Sequence, residues 1–223
     1  MKNIKSAVFD MDGTLVDSLM LWDIIWEKFG VKFLSDANFR PRTEDDKAVR
    51  TLTLKDAMEH IHKVYGIGKN GEELLYEAKE IMKNFYANEV MLKDGVLDFL
   101  EYCREKGIKM CIASATDMEL LNIALDHLDI KKYFAEIFSC AVIGKGKEEP
   151  DIYIASMDYF KTSPEQTCVF EDSCTAINTA HKLGMKTVAI YDKFNYGQEE
   201  MKNSADVYIA EGETMRKLIG TVL

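Results

Sequence analysis

Hydrophobic positions fall into short continuous runs rich in β-branched residues, at 6–10, 109–114, 137–142, 167–171 and 187–191. Runs of this length without alternation suit strands covered on both faces, as in a parallel sheet. Between them, at 96–106, 118–128, 152–160 and 174–183, apolar residues recur at helical spacing. The first and last of these segments stop just before Gly107 and Gly184, natural helix ends. Strand and helix in alternation predict an α/β fold with a doubly wound parallel sheet, completed by a weaker strand at 206–209 and a short helix from Glu213.

One interval breaks this rhythm. From Asp17 to about Leu92 no strand is evident, only helical periodicity. Leu54, Ala57, Met58, Ile61, Val64 and Tyr65 form one apolar stripe, preceded by Thr53 and Asp56 at capping-box spacing; Leu74, Leu75, Ala78, Ile81, Met82, Phe85 and Tyr86 form a second. We therefore expect an α/β core made of 1–16 and 93–223, and a helical cap at 17–92 inserted directly after the first strand. Its position in the chain suggests a lid over that strand's carboxyl end, with connectors near 14–17 and 88–95.

Hydrophobic residues make up 47% of the 223 positions and charged residues 30%, which excludes a disordered chain. Twenty-eight basic against 38 acidic residues give a net charge of −10, which argues against a nucleic-acid surface and against anionic lipid. Five cysteines, an odd number without a C-x-x-C pair and three of them in predicted strands, point to reduced core thiols and a cytoplasmic location. The first twelve residues reach acid too early for the apolar region of a signal peptide, and no apolar run approaches membrane-spanning length. The expectation is a soluble monomer with neither a nucleic-acid nor a membrane partner.

What ends each strand carries the chemistry. The predicted strands run into Asp10, Ser114 and the pair Glu171-Asp172. In open parallel sheets the ligand site lies beyond the carboxyl ends, where strand order reverses, so these groups should converge. In Asp10-Met11-Asp12-Gly13-Thr14, extended backbone through Met11 would place both carboxylates on one side, and Gly13 permits a sharp departure. One carboxylate can attack while its neighbour donates and then accepts a proton; a turn with two solvated aspartates is the alternative. Ser114, with the N–H groups of the following helix, can cradle an anion or simply cap that helix; a cap at Ala115-Thr116-Asp117 would leave its hydroxyl free.

Glu171-Asp172-Ser173 reads either as an acidic helix cap or as a site for a hard cation. Magnesium prefers one or two carboxylates plus phosphate oxygens and waters, which Asp10 and Asp172 can supply together. The segment Lys145-Gly146-Lys147-Glu148-Glu149-Pro150-Asp151 brings the only basic element near a predicted strand end in this half of the core. Against Asp10, Asp12, Glu171 and Asp172, one or two lysines are insufficient, so a divalent cation must be present before a phosphate binds. Nucleophile, proton carrier, cation site, anion cradle and lysine together suit phosphoryl transfer. No P-loop or G-x-G-x-x-G occurs, which disfavours nucleoside triphosphate chemistry.

These residues resemble the haloacid dehalogenase (HAD) superfamily, in its β-phosphoglucomutase and sugar-phosphate phosphatase-like branch. The likeness covers essentially the whole chain, and Asp10-Met11-Asp12-Gly13-Thr14-Leu15-Val16-Asp17-Ser18 matches the family's opening motif in full. The resemblance implies a Rossmann-like core with a helical cap, Asp10 as nucleophile, and Asp12 as general acid/base and donor of a backbone carbonyl to Mg²⁺. It further implies Ser114 as phosphate ligand and Asp172 as metal ligand, with Glu171 beside it. Two positions depart: the family's Lys-Pro-x-Pro-Asp stands here as Lys147-Glu148-Glu149-Pro150-Asp151, leaving Lys147 favoured and Lys145 open, and the glycine after Glu-Asp-Ser is Ala176. The cap histidine usual in the mutases is replaced by Trp22, and His60 and His62, two apart on a helix and facing different directions, are expected to be solvated or half-buried rather than a metal pair or catalytic dyad.

The expected enzyme is thus a Mg²⁺-dependent phosphatase for a small phosphorylated metabolite, a sugar phosphate in particular, working through an aspartyl-phosphate on Asp10. Catalysis falls to Asp10, Asp12 and Lys147, metal binding to Asp10, Asp12, Glu171 and Asp172, and substrate binding to Thr14, Ser114, Ala115, Lys147 and Arg50. In the cap, Arg40, Arg42 and Lys47 join Arg50 as possible substrate contacts, most of them on a solvated face. A sugar-phosphate mutase and a non-catalytic metabolite-binding protein are the alternatives.

Overall fold

The structure is a computed structural model that describes residues 3–50 and 52–221. Among them are eight strands: β1 (Ser6–Phe9), β2 (Val16–Asp17), β3 (Met91–Leu92), β4 (Lys109–Ser114), β5 (Glu136–Ser139), β6 (Thr167–Glu171), β7 (Lys186–Ile190) and β8 (Val207–Ile209). Six form one parallel sheet in the order β5-β4-β1-β6-β7-β8, while β2 and β3 make a separate antiparallel ribbon of two residues each. The ten α-helices are α1 (Leu21–Phe29), α2 (Thr43–Val49), α3 (Leu54–Tyr65), α4 (Gly71–Asn88), α5 (Val96–Glu105), α6 (Met118–His127), α7 (Cys140–Ile143), α8 (Asp151–Phe160), α9 (Cys174–Lys182) and α10 (Gln198–Ser204). The chain divides into two compact units, one made of Met1–Leu19 and Val90–Leu223 and the other of Met20–Glu89.

In the larger unit β1 is the central strand and is wholly buried. Phe9 pairs in register with Ile112 on one side and Phe170 on the other, and its ring stacks on Phe170 at 4.4 Å between centroids. From β1 the chain builds outward through β4 and β5, then returns to the far side of β1 for β6, β7 and β8. The order reverses beside β1, which places the crevice of an open sheet beyond its carboxyl end.

The run at 137–142 does not remain extended. β5 ends at Ser139, whose hydroxyl accepts the Ala141 N–H and starts the single turn α7, and Gly144 in the left-handed region closes that turn. Cys140 therefore begins a helix, whereas Cys111 and Cys168 lie in strands; all five cysteines are free. The short helix expected from Glu213 is a 3₁₀ turn at Met215–Leu218. The β2–β3 ribbon was not expected; with two residues per strand it carries no periodicity to read.

The helical unit follows its apolar stripes. Ala57, Met58 and Ile61 of α3 and Leu74, Ala78 and Phe85 of α4 are buried, and Val64, assigned to the first stripe, is 40% exposed instead. Thr53 caps α3: its hydroxyl oxygen accepts the Asp56 N–H, and the hydroxyl, rather than the Thr53 N–H of a full capping box, donates to the Asp56 carboxylate. His60 and His62 are half-buried, within the expectation for them. His60 Nε2 lies 3.0 Å from Asp45 Oδ1, and His62 Nδ1 lies 2.8 Å from the Ile67 carbonyl.

Candidate active site

Beyond the carboxyl end of the sheet, Asp10 follows β1, and its N–H donates to the Phe170 carbonyl at 3.0 Å, extending the β1–β6 pairing by one residue. That pairing sets Asp10 beside Glu171, the last residue of β6. Oxygens of Asp10, Glu171 and Asp172 all lie within 4.8 Å of one another, and all three residues are buried. Lys147, in the middle of the loop between α7 and α8, donates to Asp10 Oδ1 at 2.5 Å and also to Glu171 Oε1. Its side chain is 11% exposed, so this is a buried bridge rather than a surface pair. Lys145, the other lysine of that loop, is half exposed and pairs with Asp151 at 3.1 Å.

One ammonium among three buried carboxylates leaves the site short of positive charge. Burial, opposed by Lys147, pushes Glu171 up to about 8; burial and the neighbouring Asp10, opposed by Asn195, push Asp172 up to about 7. Asp10 is raised as well, by burial first, with Lys147 opposing and Asp12 adding to it. For Lys147, burial works against the charge, but Asp10 and Glu171 outweigh it and hold the ammonium protonated. Glu171 Oε2 is buried and accepts no hydrogen bond from the described residues. Clustered hard oxygen donors, unpaid negative charge and an orphaned carboxylate oxygen fit a divalent cation such as magnesium.

The turn after Asp10 is tight. Gly13 adopts φ +75°, and a Cβ at this position would come within 2.2 Å of Asp172 Oδ2, so backbone and carboxylate touch because no side chain intervenes. The Thr14 hydroxyl donates to Asp172 Oδ1 at 3.2 Å. Asp12 stays close enough to Asp10 for its charge to raise it, while its own carboxylate is held by two hydroxyls. Its two oxygens accept from the Ser18 and Thr116 hydroxyls, each at 2.7 Å, and it does not join the acidic trio.

The expected capping after β4 is also redistributed. Asp117 takes the N-cap position of α6, but the Thr116 hydroxyl goes to Asp12 and the Thr116 N–H donates to Ser114 Oγ at 3.1 Å. The Ser114 oxygen is therefore engaged rather than free, although its O–H can still donate. Ala115, next to it, is exposed. Arg50 belongs to the helical unit, where its guanidinium pairs with Asp46 at 2.9 Å and stands 5.9 Å from the Trp22 ring centroid; within its own unit its charge already has a partner. Reading the sequence missed Tyr153, whose hydroxyl faces Glu171 at 3.4 Å, and Asn195, which donates to Asp172. No local pattern marks either, because both act across distant stretches of chain.

Residues 7–190 match a family model described as haloacid dehalogenase-like hydrolase. A phosphorylated carbohydrates phosphatase of Thermotoga maritima is 23% identical over 217 residues, covering 96% of this chain and 98% of that protein. Among solved structures, CbbY from Rhodobacter sphaeroides in complex with phosphate superposes with a TM-score of 0.76 at 18% identity, covering 92% of this chain and 93% of that one. The β-phosphoglucomutase of Clostridium difficile gives 0.73, also at 18% identity, over 96% and 93%.

Proposed function

Since the chain belongs to the haloacid dehalogenase-like hydrolase family, we propose that it is a Mg²⁺-dependent phosphatase of a small phosphorylated carbohydrate, with Asp10 as nucleophile. The observation that carries this reading is the convergence of Asp10, Glu171 and Asp172 around a buried point that Lys147 only partly neutralises. The name of the Thermotoga maritima relative supports the substrate class.

In this reading Asp10, Asp172 and the Asp12 carbonyl hold the cation, with Glu171 beside them; when bound, it neutralises charge on the phosphoryl oxygens. An Asp10 carboxylate oxygen forms a bond to phosphorus as the bond to the sugar oxygen breaks, and Asp12 gives that leaving oxygen a proton. Asp12 then takes a proton from water as the water oxygen attacks phosphorus, the Asp10–phosphorus bond breaks and inorganic phosphate leaves. Ser18 and Thr116 hold the Asp12 carboxyl in place for both transfers. Lys147 and the Ser114 hydroxyl offer donors to phosphoryl oxygens, and Thr14 steadies Asp172.

The test is a screen of purified protein against phosphorylated sugars and other phosphomonoesters, with and without Mg²⁺, alongside Asp10→Asn. Release of phosphate that needs Mg²⁺ and disappears in Asp10→Asn is expected. Turnover that survives chelation, or an active Asp10→Asn variant, overturns the mechanism; isomerisation of a sugar phosphate without net phosphate release makes the protein a mutase.

A further inference from the structure

The loop after β7 contains no residue that the proposed chemistry uses, yet it reaches into the acidic site. Asn195 donates through Nδ2 to Asp172 Oδ2 at 2.7 Å and to the Asp172 carbonyl at 2.8 Å, while its Oδ1 accepts the Tyr196 N–H at 2.8 Å. Turning the carboxamide over would set its oxygen against a carboxylate and a carbonyl, so these three contacts fix its orientation. With Thr14 on Oδ1 and Gly13 packed against Oδ2, the Asp172 carboxylate is clamped on both oxygens.

The loop is itself anchored. Asp192 is 3% exposed; its Oδ1 accepts the Phe194 N–H at 2.9 Å and its carbonyl accepts the Asn195 N–H at 3.1 Å and Gln198 Nε2 at 2.9 Å. The other Asp192 oxygen accepts from Lys93 Nζ at 2.7 Å, and the same ammonium donates to the Tyr191 carbonyl at 3.1 Å. Lys93 follows β3, and its backbone N–H donates to the Leu15 carbonyl at 2.9 Å, in the turn that leaves Asp10. One buried ion pair thus ties three separate stretches together: the turn after β1, the residue after β3 and the loop after β7. An ion pair this buried costs desolvation and is weak grounds for stability alone, which makes its connection to the site the more informative property.

We infer that Asn195 is a positioning residue for Asp172, held by the Lys93–Asp192 pair, and that this chain of contacts sets the affinity of the site for a divalent cation. The inference rests on the proposed metal role of Asp172. Loss of a partner that orients a metal ligand typically weakens binding about 10- to 100-fold.

The experiment is titration calorimetry of Mg²⁺ into the full chain without substrate, for wild type, Asn195→Ala, Asn195→Asp and Lys93→Met, with circular dichroism confirming the fold. Asn195→Ala is expected to weaken Mg²⁺ binding by about 10-fold or more. Asn195→Asp, nearly isosteric but setting a like charge against Asp172, should weaken it further, and Lys93→Met should move it in the same direction by less. In p-nitrophenyl phosphate hydrolysis the Mg²⁺ concentration for half-maximal rate should rise in parallel, while KM for the ester at saturating Mg²⁺ holds; a merely structural defect would not separate the two. Mg²⁺ affinity within about twofold of wild type in the folded Asn195 variants overturns this inference and leaves the phosphatase reading standing. A wild-type protein that binds no Mg²⁺ overturns the metal role of Asp172 and this inference with it.

Discussion

Asp12 shows how hydroxyl placement gives different surroundings to two carboxylates that are two residues apart. Asp10 is turned toward Lys147, whereas Asp12 is held by Ser18 and Thr116. Thr116→Val keeps the shape and removes one of those donors, so we expect kcat to fall about tenfold, the effect of roughly one well-placed hydrogen bond, with Mg²⁺ affinity unchanged. Steady-state kinetics together with a Mg²⁺ titration checks both halves. Gly13→Ala should act in the opposite sense: the added methyl meets Asp172 Oδ2, and positive φ costs about 1–2 kcal/mol, so metal affinity and thermal stability should drop together. The gathering of Asp10, Glu171 and Asp172 was legible from their places at strand ends. Asn195 and Tyr153 were not, since their significance lies in contacts 23 and 18 residues away in the chain.

At the level of elements, the buried strands were legible because continuous apolar runs have few other uses in a chain of this composition, and β1, β4, β6 and β7 form within or very near those runs. The run at 137–142 misled because α7 buries Cys140 in a turn whose composition does not differ from that of a strand. Cap chemistry proved more readable than apolar content: Thr53 caps the helix at the position its spacing indicates, although Val64 of the same helix faces outward. Thr53→Ala should therefore cost the helical unit about 1 kcal/mol. Thermal melts followed by circular dichroism test this, with no change expected in the Mg²⁺ affinity of the other unit.

For the whole molecule, the acidic site makes stability depend on pH and on metal together. Glu171 and Asp172, pushed up to about 8 and about 7 from ordinary values of 4.5 and 3.8, hold protons in the folded protein at a pH where the unfolded chain has released them. The folded state then binds more protons, so the contribution of these groups to stability falls as pH rises from about 4 to about 8. Without divalent cation the melting temperature should decline across that window. Millimolar Mg²⁺ should oppose the decline, and Asp172→Asn should flatten it; calorimetric melts at several pH values decide the matter. Among the described residues no helix is long and apolar enough to cross a membrane.

The central place of β1 also has a bearing on how the polypeptide matures on the ribosome. The strand that leads into Asp10 emerges early, but its two sheet neighbours begin at Lys109 and Thr167. Met20–Glu89, a compact unit by itself, is synthesised in full before either neighbour exists. Nascent chains halted between these points should protect the helical segment from protease while β1 stays cleavable, and the carboxylate cluster should assemble only after Asp172 has left the exit tunnel.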